Sequence, residues 1–319
     1  MAAASARALP LLLCILLCFH SPPHPPPPPR ADFLRCLSAS VPSHLLFTPS
    51  SPSFASVLSS SVRNPRLLTP TTARPLCIVT ATNASHAQSS SSAAARHGVP
   101  PSAVRSGGHD YEGLSYRSVR PEEFAVLDLA GLRAVRVDSG DDTAWVDSGA
   151  TLGELYYTIA KNNPGVAFPA GICPTIGVGG HLSGGGIGMM MRKFGLAVDN
   201  VLDAKLVNAD GDLVDRAAMG EDLFWAIRGG GGGNFGIVVS WKVNLVKVPS
   251  TVTAFNIGRT VGQGAIDVLT RWQDVGPTLP NDINIRVIIQ GQQVTFQSLY
   301  LGSCSDLVPM LSTLFRSSA

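Results

Sequence analysis

Two short stretches bring together residue types able to do chemistry. The first, Ile172 to Asp203 (ICPTIGVGGHLSGGGIGMMMRKFGLAVDNVLD), sets a single cysteine, Cys173, beside a long glycine-rich turn. The second, Arg105 to Tyr116 (RSGGHDYEGLSY), places His109 directly after Ser106, Gly107 and Gly108. An imidazole and a thiolate are both nucleophiles, and glycine turns let consecutive N–H groups converge on an anion such as a pyrophosphate. Taken alone, Gly177, Gly179, Gly180, Gly184, Gly185, Gly186 and Gly188 serve equally well as tight structural turns, and a lone histidine is ordinarily structural.

Other chemistries fit these residues poorly. His109, His181 and Cys173 lack both the CxxC and the HxxxH spacing of a zinc site, so no metal is expected. A cysteine-protease reading fails because Cys173 precedes Pro174 instead of opening a helix. The run Gly231 to Gly236 matches GxGxxG in form, yet it follows a helix and precedes a strand, the reverse of a dinucleotide-binding turn. The net charge of +2, from 24 basic and 22 acidic residues, shows no basic stripe, so nucleic acid is not an expected partner.

The elements that must position the two stretches can be read around them. Leu76 to Val79 reads as a buried strand, while the serine run 89–92 before Ala93 to Ala95 reads as a doubtful helix or a loop. Ala125 to Leu129, Ala134 to Asp138 and Ala144 to Asp147 read as strands. Thr151 with Glu154 forms a capping box that opens a helix, which Asn163-Pro164-Gly165 ends. Ala204 to Asn208 and Leu213 to Asp215 flank a hairpin turn, Glu221 to Ile227 is a short helix, and Ile237 to Val248 reads as one long strand. Beyond Pro249 the pattern gives a helix near 265–274, strands at 283–290 and 294–301, and an amphipathic helix at 306–315. That second unit has two strands and an uncovered sheet edge.

The 319 residues, 45% of them hydrophobic, suffice for two domains. Residues 1–21 read as a secretory signal and 22–32 as a proline-rich linker, which implies an extracytoplasmic protein with no membrane segment after cleavage. Two of the six cysteines, Cys14 and Cys18, lie in that leader. Cys36, Cys77, Cys173 and Cys304 remain, and secretion makes at least one disulfide expected. Asn83-Ala84-Ser85 is a glycosylation sequon.

The motifs RSGGHDYEGLSY, GICPTIGVGGHLSGGGIGMMMRKFGLAVDNVLDAKLVNADG and DLFWAIRGGGGGNFGIVVSWKVNLV together resemble plant berberine bridge enzyme-like proteins. These are flavin-dependent oxidoreductases of the vanillyl-alcohol oxidase type. The resemblance runs from about Phe33 to Phe315 and implies an α+β fold: a PCMH-type, two-subdomain FAD-binding domain at 33–248, then the start of a sheet-plus-helix substrate domain at 249–319. It implies FAD bonded at its 8α carbon to His109 and at carbon 6 to Cys173. Ser106, Gly107, Gly108, Gly179, Gly180, Ser183, Gly184, Gly185 and Gly186 would line the pyrophosphate and ring, and Gly233, Asn234, Gly236 and Val238 would complete the wall. Ile176, where a valine goes with oxygen-using members, points to a dehydrogenase.

The implied function is oxidation of a small alcohol, sugar or alkaloid by hydride transfer to the flavin. The alternative is a non-catalytic secreted flavin-binding or interaction protein at the cell wall. Oligomeric state is left open. Three departures stand out: Ala93 replaces the family's disulfide partner of Cys36, with Cys77 a conceivable substitute; Pro100-Pro101-Ser102 interrupts the approach to β-structure before Arg105; and family members continue well beyond this chain's length, through the segment holding their catalytic glutamate and tyrosine. No general base is assigned, since Tyr111 and Glu112 read more simply as loop packing and a solvated charge.

Overall fold

The computed structural model describes residues 30–99 and 103–315. Its first half runs α1 (Arg30–Ser38), β1 (Leu46–Phe47), α2 (Phe54–Ser59), β2 (Ile78–Thr80), α3 (Ala84–His97), β3 (Ala103–Arg105), β4 (Val126–Asp128), β5 (Val135–Asp138), β6 (Thr143–Asp147) and α4 (Leu152–Asn162). Next come β7 (Val166–Ala167), α5 (Val178–Ser183), α6 (Met191–Phe194), β8 (Val201–Val207), β9 (Leu213–Val214), α7 (Arg216–Ile227), β10 (Ile237–Asn244) and β11 (Val246–Lys247). The chain continues with β12 (Thr253–Thr260), α8 (Ala265–Val275), β13 (Ile283–Gln290), β14 (Gln293–Tyr300) and α9 (Cys304–Leu314).

Two sheets build the larger part. The four-stranded sheet β1-β2-β4-β3 has β2 and β3 parallel to β4 and β1 antiparallel at its edge. The five-stranded sheet β5-β6-β10-β8-β9 is wholly antiparallel. Each has its own core: Leu127, Val79 and the small face of α3 under the first, and Trp241, Phe224 and Leu155 under the second. The fold is α+β: the first sheet holds one parallel crossover, β2–α3–β3, and the five-stranded sheet is antiparallel with helices laid against it. The Thr151–Glu154 box opens α4 as its sequence requires, the two side chains exchanging bonds with each other's backbone.

Four expectations need correction. The serine-rich stretch is helical throughout, because Asn83 caps α3 by accepting from the His86 amide, Gly98 closes it in the left-handed region, and its Ala87, Ser90 and Ala93 face is buried. Burial of one face and two good caps outweigh weak intrinsic propensity. The long strand at 237–248 breaks at Leu245, where the chain leaves β10 and pairs β11 with β7. The second unit has three strands, in the order β12-β14-β13, because Thr253–Thr260 pairs along the whole of β14. Cys36, Cys77, Cys173 and Cys304 are all free thiols. Cys77 does not pair with Cys36; it is fully buried, and that burial pushes its thiol up to about 12.

The leader, most of the linker and Pro100 to Ser102 lie outside the described residues; Arg30 to Asp32, assigned to the linker, begin α1. No helix among the described residues is long and apolar enough to cross a membrane.

Candidate functional site

The RSGGH loop leaves the end of β3 under firm constraint. Arg105 is completely buried, its guanidinium paired with Asp128 on β4 at 2.6 Å and donating to the carbonyls of Leu58 and Val57 at the end of α2. A buried charge is tolerated only with this degree of pairing. Ser106 then donates to the Ser148 carbonyl at 2.6 Å, and the same carbonyl accepts the Gly179 amide at 3.0 Å. Trp241, buried on β10, donates to the Ser148 hydroxyl at 3.1 Å. One residue of the β6–α4 turn thus ties both glycine-rich loops to the second sheet.

Close approach explains the glycines at the contact. A Cβ on Gly107 would stand 2.3 Å from the Gly177 nitrogen, so the two loops pack backbone to backbone. The 173–176 turn is anchored from its other side by α4, whose Leu152 and Gly153 amides donate to the carbonyls of Ile176 and Pro174. These are first-turn amides that no intrahelical acceptor can satisfy.

His109 closes the arrangement. Its Nε2 lies 3.1 Å from both the carbonyl and the hydroxyl oxygen of Thr175, two residues after Cys173. A carbonyl only accepts, so Nε2 carries the proton and Nδ1 keeps its lone pair. Burial, and secondarily the Arg63 cation, hold the imidazole below its ordinary value, against the Thr175 bond that raises it.

These loops enclose a cavity of about 630 Å³. Ser106, Gly107, Gly108, His109, Ile176, Gly179, Gly180, Ser183, Gly233, Asn234, Gly236 and Val238 all line it, together with His181. Gly184, Gly185 and Gly186 do not. The chain turns away after α5, and a Cβ on Gly186 would strike Ala197 at 2.5 Å, so that glycine serves the turn. Cys173 is exposed on the turn beside the cavity, outside its wall. Asn83 is also exposed, with its carboxamide oxygen engaged as the α3 cap.

Sequence did not single out His181 as part of this wall, nor Thr175 and Arg63 as the residues that touch His109 and the Gly107 carbonyl. His181 Nε2 accepts the Gly171 amide at 3.0 Å, and burial lowers its pKa. Its position after two glycines was the available signal; Arg63, 44 residues from the Gly107 carbonyl it touches, gave none.

A cavity walled by backbone amides fits a flat, anionic cofactor. Gly180, Gly232 and Gly233 have no atom nearer than 3.8 Å to the place of a Cβ, so a side chain there would fill the space a ligand needs. The fold and this wall define a FAD-binding domain protein, and the FAD binding domain family matches residues 75–216. The chain is 54% identical to berberine bridge enzyme-like Cyn d 4 of Cynodon dactylon over 99% of its own length and 61% of that protein's. It is 47% identical to tetrahydroberberine oxidase of Berberis wilsoniae, over 89% of this chain and 55% of that one. The solved structure of wild-type Phl p 4.0202, a glucose dehydrogenase, superposes with a TM-score of 0.87 at 56% identity, covering 89% of this chain and 58% of the other. A Phl p 4 variant with one isoleucine changed to valine, a glucose oxidase, matches with the same score, identity and coverage. The chain belongs to the berberine bridge enzyme-like family, and it spans about three fifths of the length of the curated relatives it matches.

Proposed function

We propose that this chain carries FAD bonded to His109 and Cys173 and is the cofactor-holding part of an oxidoreductase acting on a small alcohol, sugar or alkaloid. The observation that carries the reading is the joining of His109 to the Cys173 turn through Thr175, at the edge of a cavity walled by glycine backbone. His109 presents a bare Nδ1, the form a nucleophilic imidazole needs, and the exposed Cys173 thiol lies on the adjoining turn. Ser106 and Gly179 hold the loops through the Ser148 carbonyl, and Ser183, whose carbonyl accepts the Gly231 amide, offers its hydroxyl to the cofactor. Bound FAD would supply the acceptor for a hydride from substrate carbon, and tethering at two points would raise its potential for unactivated C–H bonds.

Acid precipitation tests the tethers. A yellow pellet is expected from the native chain and a colourless one from His109→Ala combined with Cys173→Ala. Colour that survives both changes would remove the assignment.

Ile176 lines the cavity three residues beyond Cys173, and the isoleucine-to-valine change in Phl p 4 goes with oxidase behaviour. On that basis the chain is a dehydrogenase. Ile176→Val is expected to raise the rate of reoxidation by oxygen at least tenfold, which corresponds to about 1.4 kcal/mol of barrier; stopped-flow mixing of reduced protein with oxygen measures it. Secretion to the cell wall and a glycan on Asn83 complete the reading. Ser85→Ala is expected to remove that glycan, seen as a mass loss, while leaving the Asn83 cap in place.

A further inference from the structure

A second cleft, of about 590 Å³, opens between α4 and the three-stranded sheet. One wall is apolar, built by Tyr156 and Ile159 of α4 with Phe168 and Met190. The other belongs to the sheet, where Asn256 on β12 and Arg286 on β13 both stand opposite Gln297 on β14. Opposed residues share a face, so the three polar side chains form one cross-strand row along the cleft. Arg286 Nε donates to the Gln297 carboxamide oxygen at 2.7 Å, and its two terminal nitrogens have no acceptor among the described residues. Arg286 is also the one charged side chain among the described residues of this wall.

Gly171 joins the cleft to the cofactor cavity. Its carbonyl accepts the Tyr156 hydroxyl at 2.6 Å on the cleft side, and its amide donates to His181, which lines the cavity. Ile172 lines the cleft and is followed directly by Cys173, so the cleft begins one residue from the proposed attachment point.

We propose that this cleft takes the substrate, and that Arg286, held by Gln297, selects an alcohol that carries a carboxylate: a sugar acid over a neutral sugar. The inference rests on FAD attachment at the Cys173 turn. A guanidinium is always protonated, and its planar fork matches a carboxylate through two parallel N–H···O bonds. The bond to Gln297 fixes the plane of the fork, so less side-chain freedom is lost when the ligand arrives. Asn256, at the other end of the row, offers a carboxamide to ligand hydroxyls, and the apolar wall covers the C–H face of a sugar ring. An amine substrate, cationic at neutral pH, meets a like charge there and is disfavoured.

The test is binding of D-glucuronate and D-glucose, which share a ring and differ only in the carboxylate, to the flavin-loaded chain. Methyl signals of labelled methionines follow it, since Met189 and Met190 line the cleft and are assigned by Met189→Leu and Met190→Leu. Glucuronate is expected to shift those two signals and to bind about tenfold more tightly than glucose, the worth of one charge-assisted contact. Arg286→Gln is expected to make the two affinities equal at an unchanged melting temperature. Added salt should narrow the native preference as well, because an exposed guanidinium is screened. Equal affinities in the native chain, a preference that survives Arg286→Gln, no shift at all, or shifts confined to methionines outside the cleft each overturn the proposal. The flavin reading is judged apart from it. A colourless acid pellet removes the attachment, and with it the role of substrate, whereas the same titration on the His109→Ala, Cys173→Ala chain still decides whether the cleft prefers the carboxylate.

Discussion

The His86 imidazole sits buried in the first turn of α3, where its Nδ1 faces both the amide and the hydroxyl of Thr82 at 3.3 Å. An accepting nitrogen cannot also be protonated, and the positive end of the helix disfavours an imidazolium there. Burial first, and His44 second, lower the pKa of His86; burial also lowers those of His109 and His181. The sign follows from linkage: the unfolded chain takes up these protons near pH 6.5, whereas the folded chain resists them. Their stability contribution is therefore complete above about pH 6.5 and is lost as pH falls through the folded values. Urea midpoints at pH 7.5 and 5.5 should show the native chain weakening in acid and His86→Gln weakening less. Equal slopes would mean that His86 takes no part.

α3 shows what can and cannot be read from one element. The Thr151–Glu154 box of α4 is a local signal that sequence reading found, whereas the Asn83 cap and the Gly98 stop of α3 are equally local and were passed over beside its weak serine run. The helicity of its serine run depends on α1 and β8 packed against it, with Ser91 donating to the Asn208 carbonyl 117 residues away. The break at Leu245 left a local trace, because Val246 follows Leu245 directly and shifts the alternation of Trp241, Val243 and Leu245 by one place, but only its partner Ala167 shows that it belongs to another sheet. The α1–α3 contact also carries the family's missing cross-link. Ala93 is buried in the core against which Cys36 packs. Ala93→Cys is expected to bond to Cys36 and, by closing a long loop, to stabilise the fold by about 2–4 kcal/mol under oxidising conditions. A thiol count and a reduced-versus-oxidised melting comparison check it, and two free thiols in the oxidised variant would contradict the expected helix packing.

At the scale of the molecule, the two glycine-rich loops of the candidate site were legible because each is a continuous run of residues, whereas the grip between the two units is assembled from distant ones. Arg192, on the short helix α6, donates to the Gly276 carbonyl at 2.7 Å, 84 residues on, and reaches the Leu279 carbonyl at the same turn. Lys193 pairs with Asp282 at 2.6 Å. Arg192 so placed satisfies the Gly276 carbonyl that caps the C-terminal end of α8, where a cation is favoured. The second unit has a core of its own, Ile283, Phe296, Val275 and Leu307, so it need not unfold when the grip is lost. Arg192→Met should remove charge-assisted bonds worth about 1.5–3 kcal/mol each. Hydrogen exchange is expected to quicken first in 276–282 and along α6, with β6, β8 and β10 unchanged. Uniform acceleration across the five-stranded sheet would show instead that Arg192 supports the whole fold and is not a joint between its parts.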